Sequence, residues 1–493
     1  MSSVSVNNIA GLSRRWERPI VFLGLVVAGM LATLSGLGSI SGSKTAIVLP
    51  IALGVGLVLG IIGLTRFQVY VMIMLVLRAS LDLAKVSGNT AGTTDVTATS
   101  RADDPSSLLA ILFLILGVVW LIGQYRAGER MQPSALRKAL IAFWLAGVLS
   151  IVASQRASAS AIDSLRIGAI VVMFMVLERM MRDEALMRKL LAATMASMIF
   201  PLLFTTFGFL IGHPHTETKG SFVRICGTFL QCNDYGRYLM LMIIMSVALY
   251  PHVSRPLRQW LVVAMILMVP FEFLTYTRSA LVGCVLGLMI VGAKQSKRVL
   301  GAMVVAIVLA LLAVPALAGR FTDLSQTSGH VSAAQLQVSN GNSLSWRLAY
   351  WGEVLPLANS NPVTGIGLYV TQYITDQAKQ PHNDFIRAYV ETGVIGFVSY
   401  TAAMWLLILL GRRATRASPP GTFDYGVSVG YYGCAVAFVA CSLVSNAISN
   451  VVNLWYFVAF AAAASSALYR HRSAGPIDGQ PAVIADGPRQ LPM

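Results

Sequence analysis

The chain has 493 residues, 56% of them hydrophobic and 12% charged, with a mean hydropathy of +0.69. A soluble domain carries about 25% charged residues, so water-exposed globular, disordered, collagen-like and disulfide-scaffold classes are excluded and a polytopic membrane protein remains. The net charge of +16 would suggest nucleic acid in a soluble protein, but here Lys and Arg must first be tested as markers of cytoplasmic loops.

A helix crossing the ~30 Å hydrocarbon core needs about 20 mostly apolar residues, and about fourteen stretches qualify. They are Ile20–Ile40, Ala46–Leu64, Phe67–Ala84, Leu108–Gln124, Ala139–Ser154, Ala159–Leu177, Leu190–Gly212, Thr228–Tyr250, Trp260–Tyr276, Ala280–Ala293, Leu300–Leu317, Asp384–Leu410, Val427–Asn446 and Val452–Tyr469. The third and sixth are weakest, because they hold Arg78 and Asp82, and Asp163 and Arg166. About twelve spans remain if both are re-entrant. The first apolar run is too long for a signal-peptide core and reads as a true span.

With Arg14, Arg15 and Arg18 in the cytoplasm, every second loop is basic. These loops hold Arg66; Arg126, Arg130, Arg137 and Lys138; Arg179, Arg182, Arg188 and Lys189; Arg255 and Arg258; Lys294, Lys297 and Arg298; and Arg412, Arg413 and Arg416. This is the positive-inside bias, so most of the basic excess is topological and nucleic acid is dropped as a partner. The expected organisation is a cytoplasmic N-terminal tail (1–19), the first eleven spans (20–317), a large periplasmic loop (318–383), the last three spans (384–469) and a disordered cytoplasmic tail (470–493). The five cysteines show no metal spacing. Cys226 and Cys232 flank the outer end of one span and could pair, but free buried thiols are the favoured reading.

The loop before Asp384 is the only sizeable extramembrane segment, and loops of that length are usually functional. Its Ser343–Ala358 stretch carries Leu344, Leu348, Trp351 and Leu355 at helical spacing, widened by Trp346, Tyr350 and Val354. This predicts a helix lying on the membrane interface. Asn359-Ser360-Asn361-Pro362 then stops it. His382 falls at the start of the next span, where a helix N-terminus disfavours imidazolium. A neutral imidazole can act as a general base, although a helix-capping histidine fits the same position. His213 and His215 with Glu217 make only a weak metal signal.

Arginines on the outer side run against the positive-inside bias and are functional candidates. Arg224, Arg278 and Arg347 have no local carboxylate partner. Arg237 has Asp234 three residues away and Arg387 has Glu391 four away, so both read as structural pairs. Arginines converging on one face would bind a multiply charged anion. The chain has no Asp-x-Asp pair, no Walker loop and no His-Glu-x-x-His, which disfavours a metal- and nucleotide-dependent enzyme and favours an anionic donor already in the membrane.

The segment Ser345-Trp346-Arg347…Trp351…Asn361-Pro362-Val363-Thr364-Gly365-Ile366-Gly367…Pro381-His382-Asn383-Asp384-Phe385…Glu391-Thr392-Gly393-Val394-Ile395-Gly396 resembles the signature of the O-antigen ligase / O-antigen polymerase superfamily. Arg224-Ile225-Cys226-Gly227-Thr228-Phe229 with Asn233, and Thr277-Arg278-Ser279-Ala280, resemble two further elements of it. The resemblance implies an all-α polytopic membrane protein with a C-type glycosyltransferase-like fold and one large periplasmic loop. It also implies a multi-pass enzyme of the bacterial inner membrane, with its site facing the periplasm and no cofactor or metal. The donor would be a glycan on undecaprenyl diphosphate and the acceptor a second glycan, amid membrane lipids and with a chain-length regulator as a further partner. On this resemblance His382 would activate the acceptor hydroxyl. Arg224 and Arg347 would hold the diphosphate, with Arg278 in support and Asn233, Asn383, Trp346 and Tyr350 as substrate-binding candidates. Trp346, Tyr350 and Trp351 would stack on sugars or anchor the loop helix. Polymerisation of repeat units is the favoured activity, because no large C-terminal domain offers room for a protein acceptor. A ligase acting on lipid A core, an O-oligosaccharyltransferase and, in another class, a flippase are the alternatives. A flippase predicts two related bundles and charges at mid-membrane, whereas the arginines and His382 gather near one surface around one asymmetric loop.

Overall fold

A computed structural model describes residues 44–83, 105–129, 131–219, 222–296, 301 and 344–473. The predicted spans Ile20–Ile40 and Leu300–Leu317, most of the first outer loop, the polar start of the long loop and both tails lie outside the described residues. In hydrocarbon a chain must satisfy its backbone groups internally, so isolated apolar stretches become helices. In chain order these are α1 (Lys44–Thr65), α2 (Phe67–Leu77), α3 (Pro105–Arg126), α4 (Ala135–Ser150), α5 (Ala157–Met180), α6 (Glu184–Ala196) and α7 (Ile199–Leu210). A hairpin of β1 (Thr216–Lys219) and β2 (Phe222–Ile225) follows. Next come α8 (Cys232–Leu249), α9 (Arg255–Leu274), α10 (Arg278–Gln295), α11 (Leu344–Val354), α12 (Thr371–Ile374), α13 (Asp384–Ala417), α14 (Phe423–Val444) and α15 (Val451–Ser473). Among the described residues, 8 helical segments are long and apolar enough to cross a membrane, with α6 and α7 together forming one of them. The molecule is an all-α polytopic membrane protein with one small hairpin.

The two weak candidates have different fates. The third is helical only over α2, 11 residues, about 16 Å at 1.5 Å per residue, and continues as turns to Leu83. It ends where Arg78 and Asp82 form a buried pair at 3.6 Å. There the Ala79 N–H donates to Tyr456 (2.8 Å) and its carbonyl accepts from Thr228 (2.8 Å). The sixth persists as α5, because Asp163 finds Arg166 at 3.4 Å and Arg387 of α13 at 3.3 Å.

α15 sits at the centre, packed on α5, α13 and α14, and its Ala461–Ala464 run is fully buried. Small residues let helices approach where lipid offers no hydrophobic drive. α10 crosses α14 in the same way: a Cβ on Gly433 would stand 2.7 Å from the Gly287 carbonyl oxygen.

α13 is broken near its start at Gly393 (φ 64°, ψ −167°). The Asn361–Gly367 loop docks into this break. Val394 N–H donates to the Pro362 carbonyl (2.9 Å), Ile366 N–H to that of Val390 (3.1 Å) and Gly367 N–H to that of Glu391 (3.0 Å). The backbones touch so closely that a Cβ on Gly365 would meet the Glu391 carbonyl carbon at 2.3 Å, and one on Gly393 the Val363 oxygen at 2.2 Å. Below the loop, Arg387 binds Glu391 (2.7 Å), and Glu391 accepts from Tyr369 N–H (2.7 Å). The Arg387–Glu391 pair is thus structural, as its spacing predicts.

α11 buries a different face from the apolar stripe expected. Trp346, Tyr350 and Val354 form its buried face and pack with Ala358, Ile366, Val370 and Val390 in a small core of their own. Leu348 and Leu355, placed on the main apolar stripe by spacing, are instead exposed. The docked Gly365–Gly367 loop supplies the apolar surface that selects the aromatic face.

Candidate active site

β1 and β2 pair with Glu217 opposite Arg224, and their charges lie 3.8 Å apart. This hairpin was not expected from sequence; its signal is the β-branched Thr, Val and Ile on either side of Gly220-Ser221. The hairpin turns the Arg224 side chain inward, where it is only 2% exposed. Its Nε donates to the Thr275 carbonyl at 2.8 Å, and one terminal nitrogen reaches Asn233 Oδ1 and Thr277 Oγ1. Burial lowers the Arg224 pKa, with Glu217 opposing. Asn233 is therefore a partner of Arg224, and its side-chain oxygen is held by that guanidinium.

Cys226 and Cys232 form a disulfide, which corrects the expectation of free thiols for this pair. The hairpin and the left-handed Gly227 (φ 56°) fold the chain back so that the two Cα atoms lie 3.9 Å apart. Cys284, Cys434 and Cys441 are free and buried, as expected. Glu217 lies near both bonded sulfurs, but a disulfide offers no thiolate for a metal. His215 Nδ1 is taken up by the Gly227 carbonyl at 2.9 Å.

α8, α10 and α13 all begin at this end of the bundle. Thr277 Oγ1, at the head of α10, lies 3.4 Å from the Cys232 carbonyl at the head of α8. Three helix N-termini bring partial positive charge to one region. Arg278 is the first residue of α10. Arg347 projects from α11, and its Nε is buried without an acceptor among the described residues. Burial and then the charges of Arg278 and Arg237 pull the Arg347 pKa down to about 10. The sequence-predicted arginines Arg278 and Arg347 are thus electrostatic neighbours, and Arg237 joins them.

His382 sits one residue before the α13 cap, with a left-handed backbone (φ 55°). Its N–H donates to Asn446 Oδ1 at 2.8 Å, and the Asn446 amide nitrogen lies 3.2 Å from its Nδ1. The Trp346 ring meets it edge-on, with centroids 5.7 Å apart, and Trp351 Nε1 donates to the Pro381 carbonyl at 2.6 Å. α11 thereby holds Arg347 and the chain entering His382 in one unit.

Three substrate-binding candidates make structural contacts. Asn383 is the N-cap of α13, its Oδ1 accepting from Phe385 N–H (2.9 Å) and Ile386 N–H (3.2 Å). Trp346 and Tyr350 are buried at 2% and 0% exposure and stacked on each other, an arrangement that fits the anchoring alternative. Their helical spacing is the same whether the covering surface is a ligand or the protein itself. Sequence reasoning missed Asn446, which lies 64 positions from His382 and carries no local signal. It also set Arg237 aside, because the Asp234 partner was legible and the three-dimensional neighbours were not.

Residues 260–401 match the family model described as O-antigen ligase. The match takes in Arg278, Trp346, Arg347, Tyr350, His382 and Asn383, while Arg224, Asn233 and Arg237 precede it. This part of the chain is thus similar to the O-antigen ligase / O-antigen polymerase superfamily. No curated protein matches the chain.

Proposed function

We propose that the protein is a glycosyltransferase that polymerises undecaprenyl-diphosphate-linked oligosaccharide repeat units at the periplasmic face of the bacterial inner membrane. The observation that carries this reading is the arginine cluster. Arg347 feels the charges of Arg278 and Arg237, and its Nε is buried without an acceptor among the described residues, an arrangement that a multiply charged anion would complete. The segment holding Arg278, Arg347 and His382 also matches the O-antigen ligase family model. Two facts support the periplasmic face: the Cys226–Cys232 disulfide lies at the site end, as suits an oxidising compartment, and basic loops lie at the other.

In the proposed reaction the arginines bind the donor diphosphate while the polyprenyl tail lies in lipid. The acceptor hydroxyl oxygen attacks the anomeric carbon and its proton passes to His382. The bond from that carbon to the phosphate oxygen breaks, and its electron pair stays on the diphosphate. The arginines stabilise the charge that develops there. Diphosphate leaves readily, so the step needs no general acid or metal, and attack opposite the leaving group inverts the anomeric centre.

The test is reconstitution of the purified protein in liposomes with a polyprenyl-diphosphate-linked repeat unit. We expect a ladder of longer lipid-linked chains, absent for His382→Ala although that variant inserts normally. Transfer only to added lipid A core would identify a ligase, which shares donor and site. Full product from His382→Ala would remove the histidine from the mechanism.

A further inference from the structure

Arg237 reads from sequence as the local partner of Asp234, and that pair does form, at 3.0 Å. Its position in the fold says more. Gly236, one residue earlier, lets α8 press against the segment before α10; a Cβ there would stand 2.8 Å from Thr275 Oγ1 and 3.0 Å from Thr277 Oγ1. These two threonines also hold Arg224, by the Thr275 carbonyl and the Thr277 hydroxyl. Arg237 therefore emerges beside Arg224 and close to the head of α10, where Arg278 begins. Its charge acts on both Arg224 and Arg347. The pair with Asp234 uses Nη1, while Nε is buried with no acceptor among the described residues, as at Arg347. Two buried guanidinium N–H groups on different elements thus lack acceptors in one region, and buried donors without acceptors are unfavourable. An Asp234 pair alone would explain the Nη1 contact but not the placement of the guanidinium among three other arginines.

We propose that Arg237 is a further diphosphate-binding residue, acting with Arg224, Arg278 and Arg347, and that Asp234 is the resident counter-charge the anion displaces. The proposal rests on the diphosphate-donor reading above. It makes the two members of one ion pair behave oppositely. Loss of the cation weakens the anion, whereas neutralising the carboxylate frees the cation and removes a repulsion.

The experiment is calorimetric titration of the full-length protein in detergent with farnesyl diphosphate, for wild type, Arg237→Lys and Asp234→Asn, with thermal unfolding of each unliganded protein as the fold control. Arg237→Lys should bind about tenfold or more weakly, because a point charge replaces a planar fork. Asp234→Asn should bind at least as tightly as wild type. Wild-type affinity in Arg237→Lys, or equal weakening in both variants, would overturn the assignment and leave a structural ion pair. Absence of binding by wild type would overturn the diphosphate-donor reading itself, and the Arg237 role with it.

Discussion

At the scale of single residues, charge and hydrogen-bond capacity separate the groups available to a ligand from those already engaged. Arg224 is held by Thr275, Thr277 and Asn233, so its orientation is fixed before any substrate arrives. Arg347 lacks such fixation at Nε among the described residues, and burial, then like charges nearby, lower its proton affinity. A bound anion relieves both conditions. Arg347→Lys keeps the charge but loses the bidentate fork, and charge-assisted hydrogen bonds are worth about 1.5–3 kcal/mol. Donor binding by this variant should therefore fall about tenfold to a hundredfold, measured by titration with a polyprenyl diphosphate. Unchanged affinity would take Arg347 out of the anion site. Trp346 and Asn383 show the converse case, in which a burial partner and a helix cap have already claimed the side chain.

At the scale of elements, the broken helix α13 and the loop docked into it decide where the site residues stand. Gly365 and Gly393 both take positive φ, at 73° and 64°, and each stands against the other segment's backbone. A left-handed conformation costs a residue with a Cβ about 1–2 kcal/mol, and the backbone collision at Gly393 adds to that. Gly393→Ala should lower the thermal midpoint of the purified protein and loosen the Asn361–Gly367 loop, detectable as faster amide hydrogen exchange at Ile366 and Gly367. Wild-type exchange there would show that the loop is held without the glycine contact. Gly365-Ile366-Gly367 and Glu391-Thr392-Gly393 flank His382 in the sequence. In the fold they form the joint that positions α11 and the α13 cap.

At the scale of the whole molecule, charge asymmetry gives a testable orientation. The proposed topology places position 382 outside and position 416, in the basic last turn of α13, inside. In intact cells, single cysteines at these positions in a background lacking the three free thiols should label with an impermeant maleimide at 382 and not at 416. Reversed labelling would overturn the topology and the mechanism together. The central α15, buried along most of its length, is the shaft on which α5, α13 and α14 pack. Its small residues let the neighbouring helices approach closely, and Ser465 and Ser466 add hydrogen bonds to Glu178 of α5.

Apolar run length and the placement of Lys and Arg were sufficient to read class, most span positions and the identity of Arg224, Arg278, Arg347 and His382 as site candidates. Those signals are local: a span needs only consecutive apolar residues, and a misplaced cation shows against its own neighbourhood. The shortening of the third helix, the Cys226–Cys232 bond, the burial of Trp346 and Tyr350, the Asn446 contact with His382 and the place of Arg237 were decided by tertiary structure. Each depends on a partner from another element, such as Tyr456 for Ala79 or the docked loop for α11. A helical stripe or an i,i+3 ion pair has the same sequence whichever surface finally covers it, so only packing distinguishes an anchor from a ligand contact.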